Sequence, residues 1–164
     1  MRLNLRKIMH VPGASESFEF QMDLSDLDFY GARPIAHPVT VKGLVRNNAG
    51  ALTLEGTAGS LLELTCDRCG KSFSREKTVR MDTLLAQKLE NEDNDDIVLL
   101  EGDELDLEDL ATTAFVLEMD SKNLCAEDCK GLCPGCGADL NEEPCRCAKE
   151  TDPRLAALAQ LLDK

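Results

Sequence analysis

Eight cysteines, and the way they are spaced, constrain this chain more than any other feature. Cys66 and Cys69 form a C-x2-C pair. Far downstream follow Cys125, Cys129, Cys133, Cys136, Cys145 and Cys147, six thiols packed into a Gly- and Pro-containing tail. Gaps of two residues wrap a backbone knuckle around one metal ion, and eight is twice the four thiolates that close a structural zinc site. Residues 1–10 begin basic but lead into no apolar stretch of signal-peptide type. No run of about 18 apolar residues is present. The expected compartment is therefore the cytoplasm, where thiols stay reduced. There the cysteines read as metal ligands or redox sensors, not as a disulfide framework.

Three metal assignments compete on spacing. In one, Cys66, Cys69, Cys125 and Cys129 share an ion, and Cys133, Cys136, Cys145 and Cys147 share a second. In another, the knuckles at 66–69 and 133–136 make one zinc ribbon and four thiols are left over. In the third, only one site fills. Glycine follows the second ligand of both knuckles (Gly70, Gly137), and Pro134-Gly135 lies between two ligands, as tight loops around a metal require. The expected cofactor is Zn2+, two ions in the first grouping. A catalytic zinc is not expected. Such sites keep an open position and use His or carboxylate, whereas His10 and His37 lie far from every cysteine pair. No phosphate-binding glycine loop, dinucleotide fingerprint or serine-nucleophile motif occurs, so no catalytic residue is assigned and no enzyme is expected.

Around the metal pairs the pattern is mostly strand. Aromatic residues are 4% of the chain and tryptophan is absent, which leaves Leu, Val, Ala and Ile to build the core. Residues 1–9 alternate partly and could open as an edge strand. Alternation over 15–24 predicts a strand, and 26–31 a turn or short helix. Residues 38–46 and 51–56 read as strands around a turn at Asn47-Asn-Ala-Gly50. Leu61–Leu64 starts another strand into Cys66, residues 72–85 leave as the next, and Ile97–Leu100 makes a short last one. Asp106 is an expected helix N-cap, with apolar helical spacing from Leu107 to about Met119. Asp152-Pro153 opens a last short helix. The predicted class is α+β: an antiparallel meander or partly closed barrel with one packed helix, over residues 1–120. A cysteine-rich zinc-binding tail and short helix occupy residues 121–164.

Net charge is −13, with nearly all of it in the middle: residues 81–128 carry 2 basic and 16 acidic side chains. Such a surface favours a basic partner, ribosomal proteins being one class, over nucleic acid spread across the whole molecule. One local cationic run offsets this. Arg68, Lys71, Arg75, Lys77 and Arg80 surround the first knuckle and the strand after it, and form a candidate nucleic-acid contact.

Three blocks carry a family resemblance: Leu64-Thr-Cys-Asp-Arg-Cys-Gly-Lys-Ser-Phe73, Asp106-Leu-Glu-Asp-Leu110, and the run from Cys125 to Asn141 ending in Cys145-Arg-Cys147. In these, across most of residues 35–163, the chain resembles the YceD family of bacterial and plastid proteins. The resemblance implies a non-enzymatic role in accumulation of large-subunit (23S) ribosomal RNA. It also implies that the Cys66/Cys69 knuckle is the shared element and the tail site an addition. The expected partners are large-subunit RNA, a pre-ribosomal particle or a basic ribosomal protein, with no membrane and no small-molecule substrate. Two other readings compete. Cys133-x2-Cys136 and Cys145-x-Cys147 would suit a redox-switched holdase, and the acidic surface would suit a protein adaptor with no RNA contact.

Overall fold

The computed structural model describes residues 1–88 and 97–147. The acidic run at residues 90–96 and the expected helix from Asp152 lie outside the described residues. The chain divides into two compact units. One comprises Met1–Leu64 and Ser72–Asn123; the other joins Thr65–Lys71 to the segment beginning at Leu124.

The larger unit is built on a five-stranded sheet of β2 (Ser15–Met22), β3 (Val39–Asn48), β4 (Ala51–Thr65), β5 (Ser72–Ala86) and β6 (Ile97–Leu99), neighbours in that order. Strand β1 (Arg2–Asn4) pairs separately with β7 (Glu104–Asp106). Between β1 and β2 lies the short helix α1 (Arg6–Met9), and helix α2 (Leu107–Leu117) follows β7. Period-2 alternation fixes which face is buried. On β3, Val39, Val41 and Val45 point inward; on β4, Leu52, Leu54, Ala58, Leu62 and Leu64 do. Phe18 stands opposite Gly43, which pairs with Gly56, and its ring covers both glycines where no side chain could fit. Leu107, Ala111 and Phe115 of α2, with Leu5, Ile8, Leu100 and Leu105, complete this core.

Several expectations change. The sheet is open: among the described strands β6 pairs with β5, and no pairing with β2 closes a barrel. Nor is it wholly antiparallel, because β6 runs parallel to β5, Leu84 opposite Ile97. The two strands expected over 51–56 and 61–64 are one 15-residue strand, β4. Its interruption by Gly56 and Gly59 reflects close packing against Phe18, Met81 and Thr78, not a turn. Residues 1–9 divide into β1 and α1, and β7, pairing with β1, carried too short an alternation to be seen. Residues 26–31 close with a bridge between Phe29 and Ala32, and Tyr30 and Gly31 occupy the left-handed turn.

The hairpin turn between β3 and β4 is tighter than expected. Ala49 and Gly50 take positive φ, while Asn47 and Asn48 remain in β3. Asn47 is the one buried polar or charged side chain among the described residues, 1% exposed. Its amide Nδ2 donates to the carbonyls of Ile8 and Met9, both at 2.8 Å, and its Oδ1 accepts from Gly50 N–H at 2.7 Å. It thus ties α1 to the hairpin. Asn47→Ala strands these groups and is expected to cost about 2–3 kcal/mol. A urea titration checks this: the midpoint falls while the slope stays unchanged.

Candidate metal centre

The smaller unit has almost no apolar core. Its buried side chains among the described residues are Cys66, Cys69, Cys129, Cys133 and Ala138. What organises it is two knuckles of the same build. Cys66 N–H donates to Lys71 C=O at 2.8 Å and Gly70 N–H to Cys66 C=O at 2.8 Å. Cys133 N–H donates to Ala138 C=O at 2.8 Å and Gly137 N–H to Cys133 C=O at 2.9 Å. Gly70 and Gly137 both have φ +72°, the left-handed conformation that lets the chain turn back immediately after the second cysteine.

The eight thiols gather as in the first of the three groupings. Cys66, Cys69, Cys125 and Cys129 form one cluster, and Cys133, Cys136, Cys145 and Cys147 the other, the sulfurs of each lying within 4.8 Å of one another. Four sulfurs about 2.3 Å from a central ion sit about 3.8 Å apart along each tetrahedral edge. The sulfurs of Cys66 and Cys129 are 3.8 Å apart, and those of Cys69 and Cys125 3.6 Å. In the second cluster Cys133 lies 3.3 Å from Cys145 and 3.6 Å from Cys147. These are the spacings of ligands around one ion, far beyond the 2.05 Å or so of a disulfide.

The electrostatics agree. Backbone N–H of Cys125, with those of Cys69 and Arg68, pulls the Cys66 thiol down to about 6. The N–H groups of Ala138 and Arg146 do the same for Cys136, also to about 6. In each cluster another thiol moves the opposite way. Burial and hydrogen bonding with its neighbours push Cys125 up to about 12, and bonding with Cys145, Cys133 and Cys136 pushes Cys147 up to about 12. Four adjacent thiols cannot all ionise unaided; a dication at the centre removes that conflict. Both clusters could therefore hold a metal ion.

The clusters differ in shielding. Cys66, Cys69 and Cys129 are buried, whereas Cys136, Cys145 and Cys147 are exposed. The second cluster also depends on Gly135. A Cβ there would stand 2.6 Å from the sulfur of Cys147. With both clusters filled, Gly135→Ala is expected to evict the second ion while the first, held by its own four thiols, stays bound. Native mass spectrometry then reads one ion per chain in place of two.

The cationic run does not stay together. In the smaller unit, Arg68 Nη1 donates to Cys129 C=O at 2.7 Å, and Lys71 pairs with Asp139 at 3.2 Å and with Glu142. In the larger unit, the Arg75 guanidinium lies 5.2 Å from the centre of the Phe73 ring. Lys77 is largely covered and pairs with Asp120 at 3.3 Å. Arg80 points to the opposite face of β5 from Arg75 and Lys77, and meets Asp82 at 3.5 Å. His37 lies beside Glu63, not beside a cysteine. Sequence reasoning gave no role to Asp139, Asn141 and Glu142, although the run Ala138-Asp-Leu-Asn141 sits inside the second cysteine loop.

The described residues thus define a β-sheet protein with a separate unit whose two tetra-cysteine clusters could hold metal ions. The chain belongs to the YceD family, described as large ribosomal RNA subunit accumulation protein YceD, which matches residues 54–162. An uncharacterized protein of Mycobacterium tuberculosis is 29% identical over 122 residues, covering 72% of this chain and 59% of the relative. The Arabidopsis thaliana protein named large ribosomal RNA subunit accumulation protein YCED homolog 1, chloroplastic, is 26% identical over 147 residues, covering 71% of this chain and 46% of the relative. The chain thus spans roughly half the length of these relatives. No solved structure matches it. Among the described residues no helix is long and apolar enough to cross a membrane.

Proposed function

We propose that this protein is a non-enzymatic factor supporting accumulation of large-subunit ribosomal RNA, and that both tetra-cysteine clusters hold Zn2+ as structural ions. Family membership carries the ribosomal part of this reading. The observation that carries the rest is the closure of both clusters: four thiols at tetrahedral spacing leave no open position for water or substrate. An ion held this way shapes a surface and does no chemistry.

That surface works on a pre-ribosomal particle, through RNA or a ribosomal protein. Removal of the gene is expected to lower mature large-subunit RNA relative to small-subunit RNA. Normal subunit profiles in the deletion strain would sink the reading. The protein-adaptor alternative gains weight from one observation: Arg68, Lys71 and Lys77 are engaged within the chain. Complementation with Arg75→Glu and Arg80→Glu separates the two. Loss of particle association favours RNA contact, and unchanged association favours a protein partner.

A further inference from the structure

Asn141 lies between Cys136 and Cys145, on the loop that the second cluster closes, yet its side chain serves the first. Its Oδ1 accepts the backbone N–H of Lys130 at 2.8 Å. A backbone N–H can only donate, so this contact fixes which end of the amide is oxygen. The Nδ2 then faces two acceptors: the Cys129 sulfur at 3.5 Å and Asp139 Oδ1 at 2.7 Å. Cys129 is 3% exposed, so this N–H···S contact belongs to the shielded cluster. A sulfur that accepts such a bond is placed to act as a thiolate ligand.

The same loop grips the first cluster from its other side. Asp139 pairs with Lys71 at 3.2 Å, and Lys71 C=O holds the N–H of Cys66 at 2.8 Å. Leu140 N–H donates to Gly131 C=O at 2.9 Å, while Leu132 N–H donates to Arg68 C=O at 3.0 Å. Residues 139–141 therefore touch the chain next to Cys66–Cys69 and next to Cys129. All of these residues lie within the smaller unit.

Resting on the reading that both clusters hold metal, we propose that Asn141 is a positioning residue for the first ion and that it couples the two sites. Filling the second cluster ties Cys133 and Cys136 to Cys145 and Cys147, which fixes the loop carrying Asn141. The fixed amide then disperses the negative charge of a four-thiolate centre and holds Cys129 in place. Partners of this outer kind typically contribute 10–100-fold to metal affinity. Coupling is reciprocal, so the first ion strengthens the second by the same factor.

The test uses the full chain and cobalt(II), whose sulfur-to-metal absorption reports each tetra-thiolate site, with zinc back-titration giving affinities. Cys145→Ser with Cys147→Ser empties the second cluster and is expected to weaken the first by about 10–100-fold. Asn141→Ala, with the second cluster filled, is expected to reproduce most of that loss and to shift the charge-transfer band of the first site. Asn141→Asp keeps the shape and the acceptor but loses the N–H donor, and is expected to weaken the site at least as much. Adding Asn141→Ala to the double cysteine variant should then cost little more, because the link is already cut. Equal first-site affinity in Asn141→Ala and unaltered protein, or full additivity of the two changes, would overturn the coupling while leaving two structural ions in place. Absence of metal from the unaltered protein would instead overturn the metal reading itself. Should the double cysteine variant fail to fold, Gly135→Ala takes its place as the variant that empties the second cluster.

Discussion

Cys66→Ser combined with Cys69→Ser is expected to unfold the smaller unit and strip its first ion. The reason is compositional. Apart from Ala138, the buried side chains of that unit among the described residues are four of its cysteines. Without apolar area to bury, the unit has no other large source of stability to offset the entropy of ordering its chain. Structural zinc contributes on the order of 10–16 kcal/mol in comparable small sites. The larger unit has its own core, from Leu5 to Phe115, and is expected to keep its strands. Amide exchange after chelation checks both halves: residues 124–147 lose protection, and β2 to β5 retain it. Acid should act in the same direction as chelator. Bound thiols are deprotonated, whereas Cys125 and Cys147 without metal hold their protons up to about 12. The metal-bound state therefore gains with rising pH and loses ions as pH falls. A smaller unit that stayed protected after complete metal removal would refute the structural role.

Legibility in the sequence followed the range of each interaction. Period-2 runs over 15–24, 38–46 and 72–85 declared β2, β3 and β5 to within two residues at each end, because each has one buried face. Asp106 declared the start of α2: its Oδ1 accepts from Glu108 and Asp109 N–H, a contact local in sequence. The cysteine spacing was equally plain, and one of the three groupings open to it is the one formed. What stayed hidden depends on partners distant in sequence. The pairing of β1 with β7 sets Arg2 opposite Asp106, and β6, three residues long, is too short for its sequence to declare a parallel direction. The five cations looked like one patch because they are close along the chain. On a strand, however, Arg80 and Arg75 face opposite ways, and Arg68 and Lys71 are claimed by Cys129 and Asp139, far later in the chain. Asn141 was invisible for the same reason: nothing local distinguishes an asparagine that reaches a sulfur from one that faces water.

Phe115→Ala is expected to be the most damaging single change in the larger unit. The ring is fully buried, the largest such side chain described, and it stands in α2 one turn after Ala111 and two after Leu107 on the face turned to the core. Truncating a buried phenylalanine costs about 3–5 kcal/mol, the lost transfer energy plus that of the cavity left behind. Against a total stability of roughly 5–15 kcal/mol, that is enough to populate the unfolded chain measurably. A neighbour provides the control. Leu117 is 79% exposed, and Leu117→Ala should leave the urea midpoint nearly unchanged. Phe115→Leu should fall between the two, since it keeps part of the volume. The order Phe115→Ala, Phe115→Leu, Leu117→Ala in falling cost is fixed by burial alone. Equal midpoints for Phe115→Ala and Leu117→Ala would mean that α2 does not pack on the sheet through the face containing Leu107, Ala111 and Phe115.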